Sequence, residues 1–162
     1  MALAVVMYWC VNKSQGLYLL SVGCLGTTVN QFLKLACRVP RPWVLDPNFT
    51  ILEQAREEAT GYSFPSGHSQ TAVGTFGCVA VTQKNKLVRV VCIAFMILVP
   101  FSRMYVGVHT PADVLVGSAM ALAMVLAFRP LMLNGKKRIP WVFAVLLVLS
   151  ICYLMYVERY PF

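Results

Sequence analysis

Ser102-Arg103-Met104-Tyr105-Val106-Gly107-Val108-His109-Thr110-Pro111-Ala112-Asp113 places an arginine, a histidine and a carboxylate in an otherwise apolar neighbourhood. Ionisable groups are costly in membrane-like sequence and persist there when paired or functional. Thr110 followed by Pro111 reads as a helix start: Thr110 caps, Pro111 suits the first helical position, and Asp113 falls three residues after the cap. His109 then lies just outside the helix mouth. A carboxylate in the first turn can reach back to that imidazole and fix its tautomer, the orienting role an acid plays beside a catalytic base or nucleophile. Taken alone, the stretch is equally a capping box preceded by a chance histidine.

Outward from this stretch the chain is apolar. Hydrophobic residues make up 59% of 162 residues, 12% are charged, and mean hydropathy is +0.69. That is far from the make-up of a soluble domain and predicts an integral membrane protein. The fold class expected is all-α: a polytopic transmembrane bundle of about six helices forming one membrane-embedded domain over 1–162. Residues 1–11 are apolar but reach only about 16 Å as a helix, roughly half a bilayer core, and are expected to form a shortened first transmembrane helix. Residues 17–35, 66–82, 87–104, 111–133 and 139–157 supply the other helices. Between the second helix and the third, 37–65 is longer than an ordinary connection. Within it, 48–60 has apolar residues at helical spacing with Asn48 as cap and Gly61 as stop, predicting a short amphipathic helix on the outer face. The six cysteines lie scattered in apolar runs without Cys-x-x-Cys spacing and read as small buried hydrophobes.

Alternating crossings put Lys13, Lys84, Lys86, Arg89, Arg129, Lys136, Lys137 and Arg138 on one side with no acid. Asp46, Glu53, Glu57, Glu58, Asp113 and Glu158 fall on the other. The positive-inside bias makes the basic turns cytoplasmic, in a bacterial-type plasma membrane. The net charge of +8 is therefore a topology signal, and nucleic acid is an unnecessary partner.

Three chemically loaded segments share the outer side. Lys34 to Pro42 carries three cations at a helix end, where the dipole and snorkelling explain Lys34 better than they explain Arg41-Pro42. Tyr62-Ser63-Phe64-Pro65-Ser66-Gly67-His68-Ser69 starts a helix, with Ser66 as cap, Gly67 allowing a ligand close to the backbone, and His68 in the first turn. The free N–H groups of such a helix start form an anion site. The third segment is the one quoted first. Both histidines of the chain fall at helix mouths on the face that also carries Lys34, Arg41 and Arg103. Converging cations, exposed N–H groups and two imidazoles describe a phosphate pocket with a nucleophile and an acid.

Lys34-Leu-Ala-Cys-Arg-Val-Pro-Arg41-Pro42, Pro65-Ser66-Gly67-His68 and Ser102-Arg103 through His109 to Asp113 resemble, in residues and spacing, the three signature motifs of the type 2 phosphatidic acid phosphatase superfamily. These are membrane lipid-phosphate phosphatases that share an active-site core with vanadium-dependent haloperoxidases. The motifs cover about half of the chain. The resemblance implies that His109 is the nucleophile of a phosphohistidine intermediate, with Asp113 orienting it and His68 protonating the leaving oxygen. It implies that Lys34, Arg41, Arg103, Ser66 and the Gly67 amide hold the phosphoryl oxygens. Three fixed cations and a helix mouth can stabilise a pentavalent transition state, so neither metal nor cofactor is expected. The two histidines need opposite protonation states, which predicts a bell-shaped pH profile.

The expected activity is hydrolysis of a lipid phosphate or diphosphate at the extracytoplasmic face. Phosphatidic acid, phosphatidylglycerophosphate, a sphingoid phosphate and undecaprenyl diphosphate are the candidate substrates. The bilayer is the other partner, and nothing in the motifs selects an oligomeric state. Two readings compete. A vanadate-dependent haloperoxidase would use the same pocket, but membrane-length helices oppose it. A non-catalytic lipid-binding or transport protein would need only the cations, whereas His68, His109 and Asp113 are all present.

Overall fold

The computed structural model describes residues 2–46, 48–133 and 139–159. The basic turn at 134–138, expected on the cytoplasmic side, lies outside the described residues. Among those described, every regular element is helical: α1 (Ala2–Val6), running into a π-helical turn (Met7–Val11), α2 (Lys13–Cys37), α3 (Pro42–Leu45), α4 (Glu53–Glu58), α5 (Gly67–Thr82), α6 (Lys86–Tyr105), α7 (Pro111–Leu133) and α8 (Ile139–Arg159).

Short polar side chains set the starts of the long helices. Asn12 Oδ1 accepts from the N–H groups of Ser14 and Gln15 at 2.9 and 3.2 Å, so α2 begins at Lys13, four residues earlier than expected. Asn85 Oδ1 does the same for α6, at 2.8 Å from Leu87 N and 3.4 Å from Val88 N. Each satisfies N–H groups that have no partner within the helix.

Helix α5 stands at the centre, against α2, α6 and α7, with α8 packed on α2. Away from the site, the core gathers Ala4, Met7, Tyr18, Leu19, Val22, Cys78 and Val125. Tyr18 lies in this core and donates its hydroxyl to Val125 O at 2.5 Å, which gives a buried polar atom a partner. The outer surfaces of α6 and α8 are the reverse: Val90, Ile97, Leu98, Leu147 and Leu154 are all exposed. Among the described residues three helices are long and apolar enough to cross a membrane, Lys86–Tyr105, Pro111–Leu131 and Pro140–Arg159. An apolar surface of this extent suits hydrocarbon and not water. Helix α2 is long enough but carries Thr27, Thr28, Asn30, Gln31 and Lys34, while α5 has 16 residues.

The segment 48–60 departs from expectation. It is helical only over Glu53–Glu58, and Leu52, not Asn48, precedes the helix. The Asn48 N–H is taken by Asp46 Oδ1 at 2.9 Å in a local turn. The Leu52 N–H is held by Val106 O at 3.3 Å, which ties the extended 49–52 run to the α6–α7 connection. β-branched Thr50 and Ile51 suit that extended path, and the tertiary contact overrides the helical spacing. The contact depends on Gly107, at φ +77°, where a Cβ would stand 2.6 Å from Thr50 O.

Candidate active site

The three motif segments are knitted together by backbone atoms before any ligand is considered. Ser63 N–H donates to Val39 O at 2.8 Å, joining the second segment to the first. Ser66 N–H donates to Asp113 O at 3.0 Å, joining the second to the third. Arg41, in the first segment, reaches both the run just before the second segment and the third segment: Nε donates to Gly61 O at 3.0 Å, Nη2 to Thr60 O at 2.9 Å and Nη1 to Val108 O at 3.0 Å. Lys34 Nζ donates to Tyr62 O. Helix α7 approaches the start of α5 closely at Gly117, where a Cβ would lie 2.6 Å from Ser66 O.

These ties shape a cavity of about 630 Å³ walled by α2, α5, α6 and the 55–60 segment. Lys34, Arg41, Gly67, His68, Arg103 and His109 all line it, so the two imidazoles and three cations, widely spaced in sequence, share one space. Asp113 stands behind His109. Of the residues expected to hold the phosphoryl oxygens, Ser66 does not line the cavity. It is fully buried, and its Oγ accepts from Ser69 N at 3.4 Å and Ser69 Oγ at 3.0 Å, so its side chain serves as the cap of α5. Arg38 ends α2 in the left-handed region, is exposed, and does not line the cavity.

His109 is 5% exposed and has partners on both ring nitrogens. Arg41 Nη1 is 3.2 Å from Nε2, and a guanidinium only donates, so Nε2 must carry the lone pair. The proton is thereby assigned to Nδ1. On that side Ser63 Oγ lies at 3.4 Å and Asp113 Oδ2 at 3.5 Å. Ser63 donates its own hydrogen to Asp113 Oδ2 at 2.5 Å, leaving an Oγ lone pair free to accept from Nδ1. Asp113 Oδ2 also accepts from Thr110 N at 2.8 Å, while Asp113 N–H donates to Thr110 Oγ1 at 3.3 Å, which completes the capping box read from the sequence.

Burial pushes the His109 pKa below its ordinary value; the hydrogen-bonding Asp113 carboxylate opposes the shift, and the Arg41 and Lys34 charges add to it. The ring is thus held neutral, with its lone pair on the nitrogen beside Arg41. That is the state a nucleophilic imidazole requires.

Sequence reasoning missed Ser63, Asn30 and Gln70. Ser63 is fully buried between His109 and Asp113. Its signal was its place two residues before Pro65, which the helix-start reading of that segment did not use. Asn30 and Gln70 are both 2% exposed and both line the cavity. Polar residues in an apolar helix are a sign of inward orientation, but that sign does not name a site. Arg103 Nε is buried and has no hydrogen-bond partner among the described residues, which leaves it available to an anion. Among the described residues no group of three or more His, Cys, Asp or Glu side chains gathers to hold a metal ion. Chemically, the arrangement offers a neutral fixed imidazole, a second imidazole open to solvent, and donors from Lys34, Arg103 and the start of α5.

Residues 15–137 match the family model described as PAP2 superfamily. The chain is 29% identical to undecaprenyl-diphosphatase BcrC of Bacillus subtilis (strain 168), over 78% of this chain and 64% of that protein. It is 30% identical to phosphatidylglycerophosphatase B of the same organism, over 55% of this chain and 47% of that protein. A probable sphingosine-1-phosphate phosphatase of Dictyostelium discoideum is 30% identical over 74% of this chain and 31% of that protein. The chain thus covers less than two thirds of the length of each of these relatives. No solved structure matches. With its three motifs drawn into one cavity and the family match spanning most of its length, the chain belongs to the PAP2 superfamily.

Proposed function

We propose that this protein hydrolyses a membrane lipid phosphate or diphosphate without a metal ion, through a phosphohistidine on His109. The reading rests on one observation above all: His109 is buried at the cavity with Nδ1 facing Ser63 and Asp113 and Nε2 facing Arg41. In the first step Nε2 gives up its contact with Arg41 Nη1, which turns to the phosphoryl oxygens, and its lone pair forms a bond to phosphorus. The bond from phosphorus to the leaving oxygen breaks, and His68 gives that oxygen a proton. Lys34, Arg41, Arg103 and the Gly67 amide hold the three equatorial oxygens, and Asp113 with Ser63 steadies the charge that the ring acquires. In the second step water attacks phosphorus, the N–P bond breaks, and His68 takes the proton, releasing inorganic phosphate.

The substrate class is supported by the names of the relatives, which include a diphosphatase of an undecaprenyl lipid and a phosphatidylglycerophosphatase. We place the chain as a single membrane-embedded domain in which α2, α5, α6, α7 and α8 cross and α1 with its π turn reaches part of the way. The cavity then opens at the extracytoplasmic face, with Lys13, Lys84, Lys86 and Arg89 on the cytoplasmic side. The short α4 lies over the cavity, to which Ala55, Ala59 and Thr60 contribute.

The decisive experiment uses protein purified in detergent with EDTA. It is given phosphatidate, phosphatidylglycerophosphate and undecaprenyl diphosphate, beside the His109→Ala variant. Phosphate release in EDTA that disappears in the variant is expected. Release that requires added magnesium, or survives His109→Ala, overturns the mechanism.

A further inference from the structure

Asn30 is one helical turn before Lys34 on α2, so the two side chains share a face of that helix. It is 2% exposed. Its Nδ2 donates to Pro65 O at 3.4 Å, which fixes which way the amide points. Its Oδ1 is buried and has no hydrogen-bond partner among the described residues. A Cβ placed on Gly67 would stand 3.4 Å from that Oδ1, so the oxygen faces the first residue of α5, next to His68.

A buried acceptor without a partner is destabilising, and such atoms are rare in folded proteins. This one lines a cavity whose cations and helix start all donate. An unprotonated phosphate oxygen is repelled by an amide oxygen. The complement of Asn30 Oδ1 is therefore an O–H group.

We infer that Asn30 supplies the acceptor for an O–H group bound in this cavity, the water that attacks the phosphoenzyme; the inference rests on the phosphohistidine reading above. The placement beside Gly67 and His68 favours water. In-line displacement requires the attacking oxygen to arrive where the leaving oxygen departed, which is the His68 side. There the water gives one hydrogen to His68 as its oxygen bonds to phosphorus and the N–P electron pair returns to Nε2. The other hydrogen stays on that oxygen, held by Asn30 Oδ1, and leaves with the phosphate. The same acceptor would serve a protonated oxygen of a monoanionic phosphate ester, and the two sources separate experimentally.

The test follows phosphoenzyme formation and decay by rapid quench, using phosphatidate labelled in its phosphate, in the wild type, Asn30→Ala and Asn30→Ser. Formation at close to the normal rate with decay slowed about tenfold or more is expected, the loss of one hydrogen bond made in that transition state. Normal decay with a KM raised about tenfold instead places the O–H on the substrate phosphate and keeps Asn30 as its acceptor. Normal formation, decay and KM together overturn the inference while leaving the phosphohistidine in place. Loss of phosphoenzyme formation in both variants, with lowered melting temperature, makes Asn30 a tether between α2 and Pro65 and overturns it as well. Absence of a phosphoenzyme in the wild type fails the underlying mechanism first.

Discussion

His109 and His68 stand at the mouths of two helices that pack together, α7 and α5, and line the same cavity, yet their surroundings are opposite. His109 lies just before its helix, buried, with both ring nitrogens engaged. His68 lies inside the first turn of α5 and is exposed. Under the proposed mechanism the pair teaches how one residue type is given two tasks. The nucleophile proposed above must be neutral, oriented and dry: burial keeps the ring dry and, with the Arg41 and Lys34 charges, favours its neutral form, while the Asp113, Ser63 and Arg41 contacts orient it. A proton donor to the leaving oxygen must meet the substrate and water, which an exposed position allows.

The largest effect that can break this division is in the two histidines themselves. His109→Ala should lower kcat by about 10⁴-fold or more, as loss of a nucleophile does. His68→Gln should cost about 10²- to 10⁴-fold with an alkyl phosphate, as for loss of a general acid. A nitrophenyl phosphate, whose leaving oxygen needs no proton, should recover much of the second loss and none of the first. Equal recovery in both variants would erase the distinction.

Next come the groups behind His109. Asp113→Asn should reduce kcat by about 10²- to 10⁴-fold, because the amide no longer fixes the tautomer. Ser63→Ala should cost about tenfold and leave Asp113 facing Nδ1 alone, at 3.5 Å. Steady-state rates at a saturating lipid concentration measure both. A Ser63→Ala enzyme with unchanged kcat and unchanged pH profile would remove the hydroxyl from the machinery.

The pH dependence sharpens the comparison further. Because burial, Arg41 and Lys34 lower the His109 pKa, the acid limb of kcat/KM should lie below 6.5, the ordinary histidine value. The same sign governs stability. The unfolded chain takes up the His109 proton at higher pH than the folded one, so the contribution is present above the ordinary value and is lost as pH falls through the folded one. Lys34→Met should move the acid limb upward, since it removes a charge that opposes protonation; a downward move would contradict the electrostatic account.

Smaller effects are expected where the site is held together but not formed. Gly117→Ala should destabilise the fold by roughly 1–3 kcal/mol, read as a lower melting temperature, because its Cβ would sit 2.6 Å from Ser66 O. The smallest should be Arg56→Ala. Its pair with Glu53 spans 3.8 Å with both side chains largely exposed, and such pairs contribute less than about 1 kcal/mol. Activity and melting temperature should both stay near wild type, which sets Arg56 apart from Arg103.

Much of the site was legible because its parts are local. Thr110, Pro111 and Asp113 announce a capping box, and Ser66 announces the start of α5, in patterns that depend on a few adjacent residues. The 48–60 segment was misread for the complementary reason. Its periodicity favours a helix, but Leu52 N–H found Val106 O, more than fifty residues away in sequence. Ser66 shows a subtler division: the cap was predicted, and that same cap turns its hydroxyl away from the cavity that the motif resemblance assigned to it.

By itself, then, the sequence determined that the chain is helical and apolar, where most helices start, and which few ionisable residues have no structural excuse in such surroundings. Capping and hydropathy act over a single turn or a single span, so they can be read along the chain. Only the tertiary structure decided that Arg41 would touch Nε2, that Ser63 would bridge His109 and Asp113, and that Asn30 would keep an oxygen without a partner among the described residues. Those outcomes depend on backbone carbonyls and side chains from distant segments competing for the same donors, and that competition is settled by packing.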